Sequence, residues 1–304
     1  MNGLMRWLVA IGASLLPAIA GAAQVTTIAD FTGACGSILV CAGAAAEQGA
    51  ALRLVPAARE QSGAATLAAP LSLAPGQGFV TSFSFRLTGG SAGPYADGLA
   101  FLLARDPAGL GAAGRYGNSM GFEGVADSIA VEFDVFDNGN EPGGSNHVAL
   151  DLGGITSNIA AASPYGQSSC NTIAGPGCMA NGDTWTAIIG YNAIDQALSV
   201  AVRDGDGNTD LLIDRHAVDL PAALGGTLAY AGFGAGTGDF FMNHDLLSWT
   251  IATANPTLDL QNPEAWLAAA LATQQAQTGI PEPDSAPMLA MGMILLAGLA
   301  SWRG

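Results

Sequence analysis

The sequence predicts an all-β fold, a sandwich of many short strands. Three observations carry this. From Gln24 to Ala254, apolar runs of strand length alternate with clusters of Gly, Pro, Asn and Asp. No segment of that region sustains a helical period. The 42 glycines suit a sheet protein with many turns and bends. Short strands without intervening helices pack as two sheets, so residues 24–254 are expected to form one β-sandwich domain.

Half of the 304 residues are hydrophobic, ample for a packed core. There is no Lys, and nine Arg face 25 acids, giving a net charge of −16. That balance argues against nucleic acid or an anionic membrane surface as partner and fits a chain that holds cations.

In chain order, Met1–Ala23 reads as a secretory signal peptide. Arg6 forms its positive region, Trp7–Ala20 its apolar stretch, and Ala20-Gly21-Ala22 its small-residue cleavage site. The cysteines agree with export: Cys35 and Cys41 flank one short segment, Cys170 and Cys178 another, and each pair can close a local disulfide. A zinc site would need CxxC spacing or interleaved His, which are absent. Leu52–Leu54, Phe79–Leu87 and Gly98–Ala104 are the first expected strands, and Tyr95-Ala96-Asp97-Gly98 reads as a turn into the last of these.

Ser128–Leu152 (SIAVEFDVFDNGNEPGGSNHVALDL) carries the chemistry. As a strand it places Ile129, Val131, Phe133 and Val135 on one face and Glu132 and Asp134 on the other. Two adjacent carboxylates repel unless something positive lies between them, and no Lys or Arg occurs between Glu123 and Arg203. Asp137, Asn138, Asn140, Glu141, Asn146 and His147 follow around a Gly-Gly turn. Carboxylates, Asn carbonyls and one His are what a hard divalent cation such as Ca2+ or Mn2+ recruits. The plainer reading is a core strand followed by a solvated acidic loop.

Strands are next expected over Thr184–Tyr191, Ala197–Arg203, Thr227–Phe233 and Leu246–Ala252. Asp204–Asp210 (DGDGNTD) resembles the opening of an EF-hand loop. Its twelfth position is Arg215 rather than Glu, so a turn between strands explains it better. Gly234–Gly238 (GAGTG) reads as a flexible turn with backbone NH groups free to meet a ligand, with Phe240 and Phe241 able either to present an apolar face or to pack in the core. His216 and His244 are single histidines with surface or core roles. Beyond Ala254, Asn262-Pro263 opens a helix-forming stalk, placing a linker at 255–279. Ile280-Pro281-Glu282-Pro283, the apolar Ala286–Ala300 and Arg303 complete the chain, and that apolar stretch is short for a bilayer span.

Glu-x-Asp-x-Phe-x-Asn, a following acid and a His opening the next strand resemble the metal segment of the legume-type (L-type) lectins. The Ala-Asp-Gly-Leu-Ala-Phe of Ala96–Phe101 and the Gly-rich segment Gly232–Thr250 with its Trp249 resemble two further stretches of that family, in the same order. The resemblance implies a concanavalin A-like antiparallel sandwich or jelly roll. It implies Ca2+, with Mn2+ or another transition metal at a second position, held by Glu132, Asp134, the Phe136 carbonyl, Asn138, Glu141 and His147. Two departures stand out: the bridging acid is Glu141 where the family has Asp, and His147 comes one residue late. For the sugar it implies Asp97, after a cis Ala96–Asp97 bond, as acceptor for two hydroxyls, with Asn138, Gly238 and Asp239. A further Gly comes from Gly111–Gly121, where Gly114 and Gly117 both fit and Gly117 is taken. The tail resembles a PEP-CTERM sorting signal (280–304) of Gram-negative bacteria, recognised by an exosortase. The implied protein is an exported, calcium-dependent binder of glycans or exopolysaccharide at the cell surface, touching membrane only through its C-terminal segment before processing.

Two other classes remain open. A surface adhesive module would keep the metal site without binding sugar. A concanavalin-fold glycoside hydrolase is suggested by Glu132-x-Asp134-x-x-Asp137, which partly echoes the laminarinase-type motif. There the last acid is Asp137 rather than Glu, on the opposite strand face, so the expectation is a binding protein and not an enzyme.

Overall fold

The computed structural model describes residues 24–90, 93–112, 115–139, 142–170 and 175–253. The signal peptide, the linker and the sorting tail expected from the sequence lie outside the described residues, as do Asn140 and Glu141. The first strands are β1 (Val25–Ile28), β2 (Leu39–Gly43), β3 (Ala46–Gln48), β4 (Ala51–Val55), β5 (Ser62–Leu67), β6 (Leu71–Ser72), β7 (Phe79–Thr88) and β8 (Gly98–Ala104). They continue with β9 (Ser128–Asp134), β10 (His147–Leu152), β11 (Ile155–Ala162), β12 (Trp185–Asn192), β13 (Ala197–Arg203), β14 (Thr209–Ala217), β15 (Leu228–Gly236) and β16 (Asn243–Ala252).

Two sheets form. The back sheet runs β14-β13-β12-β7-β16-β4-β3 with β1 against β16; the front sheet runs β11-β10-β9-β8-β15-β5-β2 with β6 against β15. Neighbouring strands pair antiparallel, so the all-β sandwich read from the sequence is the fold observed. Period-two alternation in β7 sends Phe79, Thr81, Phe83, Phe85 and Leu87 inward and leaves Ser82, Ser84 and Thr88 half-buried on the other face. Phe83 lies edge-on to Phe233 (4.8 Å) and Phe133 (5.5 Å), and Phe233 meets Trp249 at 4.8 Å. These aromatics, offered by both sheets, form the centre of the core.

Two expectations need correction. Gly234 and Gly236 are not part of a flexible turn: β15 continues through Gly236, which pairs with Gly98 of β8 and Ser62 of β5. The glycines serve close packing instead. A Cβ at Gly234 would lie 2.5 Å from the Met120 carbonyl oxygen, and one at Gly236 would lie 2.4 Å from that of Gly117. The segment joining β8 to β9 rests directly on this strand. The second correction is a single helical turn, α1 (Leu220–Ala223), capped by the Asp219 carboxylate accepting from Ala222 N at 3.1 Å; four residues are too few to show a period. The EF-hand-like stretch is a turn between β13 and β14, where Asp204 Oδ1 accepts from the NH groups of Asp206 and Asn208.

Candidate functional site

β9 lies between β8 and β10 in the front sheet, with Asp134 opposite Gly98 on one side and His147 on the other. On that face Glu132, Asp134 and His147 each offer one ligand atom, and these atoms lie within 4.8 Å of one another. All three side chains are buried. His147 Nδ1 faces the Gly144 carbonyl oxygen at 2.8 Å, leaving Nε2 toward Glu132 Oε1 at 3.2 Å and Asn158 Nδ2 at 3.0 Å. The Gly-Gly turn exists for this ring: a Cβ at Gly143, whose φ is +118°, would sit 2.5 Å from His147 Cγ.

The turn before His147 is braced from outside the cluster. Asn146 donates to the carbonyls of Gln167 (2.7 Å) and Gly177 (2.9 Å) and accepts from Met179 N (2.9 Å). Ser145 Oγ accepts from Cys170 N at 2.8 Å. The expected Cys170–Cys178 disulfide ties together the stretches on either side that supply these partners, and Cys35–Cys41 is formed as well.

Asp151 is a member of the cluster that the sequence reading did not single out. It shares the strand face of His147 and is buried, its Oδ1 accepting from the NH groups of Ser157 (2.9 Å) and Asn158 (2.8 Å). Burial, and then the neighbouring charge of Glu132, push its carboxyl up to about 8. Only the distance of four residues from His147 on one strand, an even spacing, hinted that it returns to the same face. Asn158, brought in from β11, had no such signal.

Asp97 sits at the end of β8 nearest this cluster, after the expected cis Ala96–Asp97 bond. Its carbonyl oxygen accepts from Val135 N at 2.8 Å and its NH donates to Gly236 O at 3.2 Å, so β9 and β15 both fix it. A Cβ at Gly98 would lie 2.4 Å from Phe133 O, which requires glycine at that position. Gly238 and Gly117 complete the surround: a Cβ on Gly238 would lie 3.3 Å from Asp97 Oδ2 and 3.7 Å from Gly117 Cα. Gly117 N donates to Thr237 O at 3.0 Å. Thr237 holds the turn through Oγ1, which donates to Ala58 O (2.7 Å) and accepts from Gln61 N (2.9 Å).

The remaining expected residues are placed less centrally. Phe136 N donates to Asp134 Oδ1 at 2.6 Å, and its ring lies 5.6 Å from that of Phe240, joining the loop after β9 to the loop after β15. Asn138 is exposed on the former loop, and Asp137 accepts there from Gly139 N. Asp239 is exposed and paired with Arg59 at 3.0 Å. Glu141 and Gly114 lie outside the described residues. Buried carboxylates with a His whose Nε2 is turned toward them form a donor set that fits a divalent cation.

The fold and this cluster define a two-sheet β-sandwich with a candidate metal centre beside an aspartate-bearing loop. The sequence profile of the Legume lectin domain matches residues 27–266, and the chain belongs to the legume lectin family. It is 30% identical to a seed lectin of Styphnolobium japonicum over 190 residues, 60% of this chain and 59% of that one. It is 32% identical to the L-type lectin-domain containing receptor kinase S.7 of Oryza sativa subsp. japonica over 253 residues, 79% of this chain and 32% of the kinase. Among solved structures, the lectin of Bauhinia forficata in complex with GalNAc superposes with a TM-score of 0.62 at 22% identity, covering 77% of this chain and 99% of that one. The lectin I-B4 of Griffonia simplicifolia, in its metal-free form, gives 0.62 at 24%, covering 75% and 99%.

Proposed function

We propose that this protein is a divalent-cation-dependent carbohydrate-binding protein. The observation that carries the reading is the placement of Asp97, fixed by β9 and β15, between the Glu132–Asp134–His147 cluster and the glycine-lined loops of Gly117 and Gly238. The Asp97 carboxylate accepts from two vicinal hydroxyls, and Asn138 adds a donor and an acceptor. Glu132, Asp134, His147, the Phe136 carbonyl, Asn138 and Glu141 would hold Ca2+, with Mn2+ or a similar ion on the His147 side. A cation held by these residues would neutralise the carboxylates, and the Asn138 loop would then be fixed before sugar arrives, which would lower the entropy lost on binding. Such an open polar site binds monosaccharides weakly, so useful affinity comes from multivalent glycans such as an exopolysaccharide. The apparent signal peptide and the exosortase-type tail would deliver the domain to the cell surface of a Gram-negative bacterium.

The test is a glycan array probed with the full chain in Ca2+ and Mn2+, repeated in EDTA and with Asp97→Ala. Binding lost in EDTA and in the variant, with an unchanged circular dichroism spectrum for the latter, is the expected result. Silence in every condition, with a calcium-dependent rise in melting temperature, would leave an adhesive module that keeps only the metal. Release of reducing ends from β-glucans, abolished by Glu132→Gln, would make it a hydrolase.

A further inference from the structure

The front sheet carries a second concavity at the end of β8 opposite Asp97. β8 spans seven residues, so the two ends are roughly 20 Å apart. The cavity is about 950 Å³, within the range of small-molecule sites. Buried Ala64, Leu67, Leu110 and Val125 form its apolar lining, with the exposed Val40 at the rim.

One charged group in its wall stands apart. Arg53, Arg59, Arg105 and Arg215 each lie on an aspartate. Half-buried Arg115 has no carboxylate partner among the described residues; its guanidinium donates from Nη1 to Phe122 O at 3.4 Å. Gly109 and Gly124 lie near the guanidinium, where a Cβ would come 3.4 Å from Nη2 and from Nη1 respectively, and the remaining NH donors stay available. The acids in the same wall already have partners there: Asp127 faces Arg105, also a lining residue, at 3.9 Å, and Asp106 Oδ1 accepts from Ala108 N at 2.9 Å.

We propose that this cavity is a second ligand site, independent of the carbohydrate reading, that takes an organic carboxylate with an apolar body. Arg115 receives the carboxylate through a charge-assisted, two-pronged hydrogen bond, and the lining between Val40 and Leu110 covers the apolar part. A monoanion is favoured over a polyanionic chain because the protein carries a net charge of −16, which opposes accumulation of multiply charged ligands.

The experiment is isothermal titration of the full chain with octanoate, octanamide and galacturonate, at physiological salt with EDTA present. Octanoate is expected to bind saturably and octanamide at least tenfold more weakly. Arg115→Gln should reduce octanoate to the level of the amide without lowering the melting temperature, Val40→Glu should weaken octanoate several-fold, and Asp97→Ala should leave it unchanged. The proposal is overturned if octanoate fails to saturate, or if Arg115→Gln binds it as tightly as the unaltered chain. Galacturonate binding as tightly as octanoate would overturn the apolar-body assignment, and loss of octanoate binding in Asp97→Ala would return the ligand to the sugar end.

Discussion

His244 offers the sharpest test of how this core is built. It lies on β16 between Leu87 of β7 and Val55 of β4, is fully buried, and neither ring nitrogen has a hydrogen-bond partner among the described residues. Burial lowers its pKa from 6.5 to about 3, so the ring is neutral in the folded state. The sign follows directly. Below pH 6.5 the unfolded chain gains a proton that the folded chain refuses, so stability present above that pH is lost as pH falls toward 3. At pH 5 the loss is about 2 kcal/mol, from 1.36 kcal/mol per unit. Asp151 complicates the unaltered protein, because its raised pKa gives a slope of the opposite sign over the same range. The difference between His244→Leu and the unaltered chain removes that term. Urea unfolding in EDTA at a series of pH values should show the variant equal or more stable by ~1–3 kcal/mol at pH 7.5, since two unpartnered buried nitrogens are gone. Its advantage should then grow by about 2 kcal/mol by pH 5. A difference that stays flat between pH 7.5 and 5 would refute the assignment of a buried neutral histidine.

Two further outcomes are expected. Saturating the cluster of Glu132, Asp134 and His147 with Ca2+ at about a hundred times its Kd should add ~2.7 kcal/mol, raising Tm by roughly 5–10 °C, with reversal by EDTA; scanning calorimetry reads this, and no shift with Ca2+ or Mn2+ would remove the metal site. Gly236→Ala would put a Cβ 2.4 Å from Gly117 O, costing about 1–3 kcal/mol in urea unfolding and displacing Gly117 from beside Asp97. Glycan binding should weaken with it, and a fully stable variant would show that the Gly117 segment is not seated on β15.

The strand pattern was readable because it rests on period-two alternation, which β7 displays from Thr81 to Thr88. Glu132, Asp134 and His147 were readable for a related reason: carboxylates on one strand face without a nearby cation imply something to neutralise them. What escaped was contact brought by topology. Asp151 and Asn158 reach the cluster through β10 and β11, and nothing local marks Asn158 as a neighbour of His147. The burial of His244 was equally silent, since a single histidine in a strand reads the same inside or outside.

The glycines of β15 show why a correct composition argument still led to a wrong local one. Glycine in a run such as Gly234-Ala235-Gly236 signals either freedom of the backbone or a need for close approach. Alternation decides between them. Gly234 and Gly236 lie two residues apart, so both face the same side of the sheet, and each would clash there with the backbone of the segment joining β8 to β9: Met120 O at 2.5 Å and Gly117 O at 2.4 Å. A flexible turn has no reason to keep that period, whereas a strand covered by another segment does. The same contacts seat the segment that carries Gly117 to the Asp97 end and Arg115 to the wall of the cavity. Both sites therefore depend on a backbone surface kept bare of side chains.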